Sequence, residues 1–346
     1  MGFLELQPFT RHIKAHLNLG FILVLLFSTF GCGAKQALKN DVPKTDVSLS
    51  SARSWHYHLM DLELDTILKS DSDVVVTEFS SSQGNRHIWT KEEVEAMKRR
   101  PDGKRRIVLS YLSIGEAESY RFYWQPEWNK SPFPTWFVAE NCAWPRNFMV
   151  RYWLDGWKDI MFKSEDSFLN RIIEAGFDGV YLDRIDVFGE QLAENSDARS
   201  DMIDFVVELA AHARGKKKDF IVVSQNGEDL FTDERYLATI DGLGKEDLLF
   251  GMTGTGVRNP ESEITESLKY IRLLQTLGKP VFAVEYLSDQ SQIDNTRLEL
   301  EGYGMVPFFA HRSLDGKAPL AQRTETTIKY GTPEWIQSKC RDKPHW

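Results

Sequence analysis

Cysteine is scarce, three in 346 residues, and none has the spacing that would hold a zinc ion. Once Cys32 is set aside only Cys142 and Cys340 remain, and the sequence leaves open whether they pair in an oxidising compartment or stay free. Positive charge is also in deficit. Lysine and arginine number 42 against 51 aspartates and glutamates, a net charge of −9. That argues against general nucleic-acid binding and permits a cationic ligand. No GxGxxG or P-loop follows the first strand, which disfavours a doubly wound sheet, the alternative α/β architecture. No GxSxG elbow is present, which disfavours a serine nucleophile. His56, His58 and His311 lack metal-ligand spacing with acids and read as surface or core residues. Neither a metal nor another cofactor is expected.

Long apolar runs are few as well. Residues 17–30 form one, preceded by Arg11 and Lys14 and ending in small residues. It is too short for a comfortable membrane span and reads as an export leader. Cys32 follows Ser28-Thr29-Phe30-Gly31 in the manner of a bacterial lipobox, so acylation would make it the mature N-terminus. Plain secretion and an uncleaved anchor are the rival readings. Losing the leader, with Arg11, Lys14 and Glu5, makes the remaining chain more acidic still. The expected organisation is a signal peptide over 1–31, a lipidated Cys32 and linker over 32–51, a barrel over 52–320, and a C-terminal extension over 321–346.

What is present points to a large core. Hydrophobic residues make up 42% and aromatics 12%, and the length accommodates one α/β barrel of ~250 residues with a leader and extensions. Strand candidates lie at 55–59, 74–79, 107–112, 149–153, 179–183, 220–224, 240–245, 281–286 and 305–309. That is one more than a closed (β/α)8 barrel needs, and 149–153 and 240–245 are the weakest. Helices alternate with them. Thr90 and Glu93 form a capping box ahead of Val94 and Met97. Phe168, Leu169, Ile172 and Ile173 make a stripe stopped by Gly176; Met202, Phe205, Val206, Leu209 and Ala213 make another. Ile264, Leu268, Ile271 and Leu274 continue the pattern to Gly278 and Pro280. The fold class is therefore α/β, a (β/α)8 TIM barrel in a single domain. Residues 120–147, rich in Trp and Pro, form an insertion after the third strand and one wall of the site. Most of the ten tryptophans are core packing, and some are platforms for stacking on sugars. The basic clusters 98–106 and 216–218 read as solvated surface at the far end of the barrel.

Repeated strand ends carry polar groups. In residues 176–188, GFDGVYLDRIDVF, the run Val180-Tyr181-Leu182 stops at Asp183, with Asp186 three residues on. Carboxylates where such a strand emerges are badly placed for packing and well placed for chemistry, because α/β barrels carry their sites on that face. Hydrolysis of a glycosidic bond needs two carboxyl groups on opposite sides of the anomeric carbon. Asp183 and Glu246 are the leading pair, and a salt-bridged structural role is the alternative for each. Lys245, if it pointed inward, would favour an ionised Glu246. Glu116 and Glu118 follow Gly115 and are either substrate contacts or caps in a first helical turn. Asp186 and Glu285 are second choices for the pair or ligands for hydroxyl and amino groups. Asn226 supplies a hydrogen bond, Tyr111 and Tyr286 have a site role, and Trp55 is a substrate contact. Tyr57 and Tyr181 read as packing.

At Trp55-His56-Tyr57-His58-Leu59, at Val108-Leu109-Ser110-Tyr111-Leu112-Ser113-Ile114-Gly115-Glu116-Ala117-Glu118, at Phe177-Asp178-Gly179-Val180-Tyr181-Leu182-Asp183 and at Val284-Glu285-Tyr286, the chain resembles glycoside hydrolase family 114. These are the endo-α-1,4-polygalactosaminidase-like barrels, and the resemblance, to a bacterial and archaeal extracellular branch, covers residues 54–313. It implies a secreted (β/α)8 enzyme that cuts α-1,4-linked galactosamine polymers, with Asp183 as nucleophile and Glu246 as acid/base. The expected partner is a polysaccharide, a cationic amino-sugar polymer by charge, with the membrane touched only through the lipid anchor. A non-catalytic glycan-binding lipoprotein on the same barrel is the alternative from another class, and a hydrolase of neutral glycans is a third.

Overall fold

Runs such as Val74-Val75-Val76 and Ile107-Val108-Leu109 are β-branched or bulky on both faces, as strands buried on both sides require. The computed structural model describes residues 47–81, 87–191 and 193–316, all within one compact unit, Val42–Trp346. The expectations for the leader (1–31), Cys32, Cys340 and the extension 321–346 lie outside the described residues. In chain order the strands are β1 (Trp55–His58), β2 (Val74–Thr77), β3 (Ile107–Ser113), β4 (Glu116–Glu118), β5 (Phe137–Glu140), β6 (Asn147–Val150), β7 (Gly179–Asp183), β8 (Ile221–Gln225), β9 (Gly242–Glu246), β10 (Val281–Glu285) and β11 (Val306–Phe309).

Eight of these form one parallel sheet in the order β1-β2-β3-β7-β8-β9-β10-β11. It curls into a nearly closed (β/α)8 barrel. At the seam the Trp55 indole N–H donates to the Val306 carbonyl at 3.0 Å, and the Leu59 N–H donates to the Leu314 carbonyl at 2.8 Å. The ninth strand candidate, 149–153, is the one outside the barrel: it becomes β6, the middle of a three-stranded antiparallel sheet, β4-β6-β5, built from the insertion. The other weak candidate, 240–245, is the barrel strand β9.

The helices follow their stripes. Lys91–Met97 starts with the Thr90–Glu93 capping box, and Phe168–Glu174 stops before Gly176, at φ +94°. Ala198–Lys216 buries Met202, Phe205, Val206, Leu209 and Ala213; Glu261–Gln275 buries Ile264, Leu268, Ile271 and Leu274.

Alternation along each strand splits the core in two. Val75, Val108, Leu112, Val180, Leu182, Val222, Leu243 and Ala283 pack outward in the cluster that includes the helices. Trp55, Tyr57, Val76, Leu109, Tyr111, Tyr181, Val223, Phe282, Val284 and Tyr286 fill the barrel. Leu49, expected in the linker, is buried in that interior cluster, so the folded part begins before residue 52. Gly244 is required by its neighbour: a Cβ there would lie 1.9 Å from the Tyr181 hydroxyl oxygen.

The basic stretch 98–106 departs from expectation. Lys98 and Arg106 are buried, not solvated. Lys98 reaches the Gly176 carbonyl and Asp178, while Arg106 donates to the carbonyls of Ile67, Leu68 and Arg99. Lys217 and Arg105 join Lys98 around Asp178. These cations neutralise one buried carboxylate and terminate chain segments, which explains their clustering.

Candidate active site

Strand parity decides which side chains reach the mouth. Gly179, Tyr181 and Asp183 share one face of β7; Gly242, Gly244 and Glu246 share one face of β9. Since Tyr181 points into the barrel, Asp183 does too, and Glu246 follows from the glycines that make room for Tyr181. Both carboxyls line one cavity of about 510 Å³ at the carboxyl ends of the strands. Its walls include Tyr57, Tyr111, Asp186, Gln225, Asn226 and Tyr286 from the barrel, Glu116 and Glu118 from β4, and Tyr120, Trp144, Arg146 and Asn147 from the insertion. The insertion is thus one wall of the cavity.

Each carboxyl is pinned at both oxygens. Asp183 accepts the Tyr111 hydroxyl on Oδ2, at 2.5 Å, and the Arg184 N–H on Oδ1, at 2.8 Å. Arg184 is left-handed, φ +61°, which turns its amide back onto the side chain before it. Glu246 accepts the Tyr286 hydroxyl on Oε1 and the Gln225 Nε2–H on Oε2, the latter at 2.7 Å. Asn226, also left-handed at φ +53°, accepts the Glu246 N–H on Oδ1 at 3.1 Å. Lys245, on the opposite face of β9, pairs outward with Glu228 at 2.9 Å and does not enter the cavity.

Burial pushes the Asp183 carboxyl up to about 7. The Tyr111 hydroxyl opposes that, while the charges of Glu246 and Asp186 add to it. The phenols of Tyr57, Tyr111 and Tyr286 are all pushed upward, first by burial and then by these carboxylates. They therefore stay protonated and act as neutral donors throughout the working range.

The surrounding acids are held by arginines. Glu116 pairs with the Arg184 guanidinium at 2.8 Å and accepts from Asn141 at 2.7 Å. Glu118 and Glu78 share Arg121 in a buried triad, and Tyr120 adds its hydroxyl to Glu118. Neither Glu116 nor Glu118 caps a helix; both belong to β4. Arg312 binds Asp247 through two contacts, at 2.9 and 3.0 Å, and lies over the Tyr286 ring at 4.1 Å. Beyond Asp186 and Asn226 a groove of about 350 Å³ continues past Glu228, Asp229, Asp247, Glu263 and Glu266.

Two expected site residues are elsewhere. Glu285 faces outward from β10 and is fully buried, accepting the N–H groups of Leu249 (2.7 Å) and Phe250 (3.2 Å). It holds the loop after β9. Trp55 points inward but at the start of β1, stacked near Tyr57 and Tyr181 beneath the cavity. Conversely, Gln225, Arg184, Arg312 and Tyr57 line the cavity without having been expected there. Cys142 is disulfide-bonded. Among the described residues, no group of three or more His, Cys, Asp or Glu is arranged to hold a metal ion.

The profile of glycoside-hydrolase family GH114 matches residues 36–326. An uncharacterized protein of Methanocaldococcus jannaschii is 34% identical over 317 residues, covering 88% of this chain and 86% of that one. An uncharacterized protein of Thermotoga maritima is 31% identical over 318 residues, covering 88% and 92%. In solved structures, the glycoside hydrolase domain of PelA from Pseudomonas aeruginosa superposes with a TM-score of 0.58 at 17% identity, covering 76% of this chain and 96% of that domain. That last likeness is one of fold.

Proposed function

This chain belongs to glycoside-hydrolase family GH114 and is a glycoside hydrolase, and on that premise we propose that it cleaves an α-linked amino-sugar polysaccharide through Asp183 and Glu246. The observation that carries the proposal is the convergence of these two carboxyls, each fixed at both oxygens, on one cavity at the carboxyl ends of β7 and β9. Asp183 attacks the anomeric carbon as the glycosidic C–O bond breaks. Glu246 gives its proton to the leaving oxygen. A water, deprotonated by Glu246, then displaces Asp183 from the sugar, so the configuration is retained. The Tyr111 hydroxyl and Arg184 N–H orient Asp183 and share its charge.

The substrate class follows from charge. The groove beyond the cavity carries Glu263 together with Asp229, Asp247 and Glu266, which pair with Arg199, Arg312 and Lys269, and the chain is acidic overall. Ammonium groups along a partly deacetylated polymer would meet these carboxylates, an attraction that salt screens. The enzyme works exported, held by a lipid on Cys32. Mass analysis of the mature N-terminal peptide tests that: a diacylglyceryl-modified Cys32 supports it, and an unmodified or leader-retaining peptide refutes it.

The functional test is reducing-end release from a polysaccharide panel that includes partly deacetylated α-1,4-galactosaminogalactan. We expect release from the deacetylated polymer, less at high salt, and a loss of roughly 10²–10⁴-fold in Asp183→Asn and Glu246→Gln with folding intact. Proton NMR of the first product gives the α anomer. Undiminished release in either variant refutes the assignment of the pair. Equal release from neutral glycans, indifferent to salt, refutes the substrate class.

A further inference from the structure

Glu246 has two oxygens, and the residues around them are not equivalent. We infer that Gln225 is a positioning residue that confines the acid proton of Glu246 to Oε1, the oxygen facing Tyr286, and keeps Oε2 a permanent acceptor. The inference rests on the reading of Glu246 as the general acid.

The Gln225 side chain bridges two groups from distant strands. Its Oε1 accepts the Tyr57 hydroxyl at 2.9 Å, and its Nε2 donates to Glu246 Oε2 at 2.7 Å. An amide nitrogen can only donate and an amide oxygen can only accept. Tyr57 is 1% exposed, and burial together with nearby carboxylates keeps its phenol protonated. A protonated phenol in contact with the amide oxygen holds the amide with its N–H groups turned to Glu246. Placing the acid proton on Oε2 would set an O–H against an N–H and break that bond. Oε1 faces a hydroxyl instead. The Tyr286 phenol donates to it now and can rotate to accept from it, so protonation of Oε1 costs no hydrogen bond. Arg312, stacked on the Tyr286 ring, holds that phenol in place.

The strand end is built for this. Gln225 pairs across the sheet with Gly244, which has no side chain to obstruct the amide. Asn226 then turns left-handed and takes the Glu246 N–H. Consecutive residues of β8 and its turn thus hold the main chain and the carboxyl of Glu246 in one orientation. The leaving oxygen must accordingly approach from the Tyr286 side.

The test compares leaving groups that need a proton with those that do not. The substrates are an α-1,4-galactosamine oligosaccharide and its 2,4-dinitrophenyl glycoside, with kcat/KM measured for wild type, Gln225→Met, Tyr57→Phe and Glu246→Gln. Gln225→Met keeps the volume and removes the donor. We expect its kcat/KM on the oligosaccharide to fall roughly 10–100-fold, within the range of acid catalysis, and on the dinitrophenyl glycoside by no more than about twofold. Tyr57→Phe, which unlocks the amide without removing it, shifts both numbers in the same direction by less. It reports independently should Gln225→Met fail to fold. Equal losses on both substrates, or none, overturn the assignment of Gln225. Full oligosaccharide activity in Glu246→Gln removes the general-acid reading itself, an outcome visible without either Gln225 or Tyr57 variant.

Discussion

A nucleophilic carboxyl attacks only when ionised, so the titration of Asp183 sets the pH at which the enzyme becomes competent. Its carboxyl is pushed from the ordinary 3.8 to about 7, by burial above all, with the negative charge of Glu246 adding to the push. Below about pH 7 Asp183 carries a proton and cannot attack; above it, the nucleophile is ionised. The expected kcat/KM profile therefore rises tenfold per pH unit up to about 7, with roughly a hundredfold loss near pH 5. Tyr111→Phe supplies the internal control. A hydrogen bond to a charged group is worth about 1.5–3 kcal/mol, and one pK unit is about 1.4 kcal/mol. The Tyr111 hydroxyl favours the ionised form of Asp183, so its loss raises the pKa and moves the rising limb upward by roughly one to two units. The plateau drops while the limb shifts to higher pH. The assay is initial-rate reducing-end release at substrate far below KM, from pH 4 to 10. A profile flat down to pH 5, or a limb that moves down in Tyr111→Phe, refutes the reasoning.

The same shift bears on stability. A carboxyl whose folded pKa lies above its unfolded value stabilises fully below the unfolded value, and that contribution is lost as pH rises through the folded one. Asp183→Asn should accordingly raise the melting temperature at pH 7 and above, with the gain vanishing toward pH 4; a uniform loss at all pH values would contradict it. Arg121 neutralises both Glu78 and Glu118 in the interior, so Arg121→Met leaves two buried carboxylates without a cation and should cost about 3–5 kcal/mol in urea unfolding. A change under about 1 kcal/mol would show that the triad is solvated. Gly244→Ala places a Cβ against the Tyr181 hydroxyl and should destabilise by about 1–3 kcal/mol. Tyr181→Phe leaves the ring carbons Cζ and Cε2 at 2.3 and 2.4 Å from that Cβ, so the loss should persist in the double variant; recovery there would mean that the hydroxyl alone is the obstacle.

Asp183 was legible in the sequence because a strand of apolar residues ended in it, and that contrast is visible without any tertiary information. Helix stripes were legible for the same reason: one face apolar, the other charged, with Gly176 and Gly278 marking the stops. Glu285 was not legible in the same way. Val281-Phe282-Ala283-Val284 is apolar on both faces, so alternation carried no information about which face looked inward. The residue after it, Tyr286, had the right parity and Glu285 the wrong one. Trp55 had the right parity and the wrong height, since one end of a strand looks like the other in the sequence. Lys98 and Arg106 resembled a solvated run because their partners are mostly backbone carbonyls, which composition cannot display.

Gln225 is the instructive case. Its neighbour Asn226 was legible at the same strand end, but the partners of Gln225 are 168 residues before it and 21 after it. What could have found it is parity carried across strands. Once Asp183 and Tyr181 are taken to point inward, the pairing of Leu182 with Ser224 turns Ser224 outward and Gln225 inward. The same step around the sheet turns Lys245 out and Glu246 in. A single inward residue, propagated through the register of a parallel barrel, identifies most of the ring around the cavity. The residues it cannot reach are those of the insertion and of the loop after β11, whose positions depend on contacts that strand register does not govern.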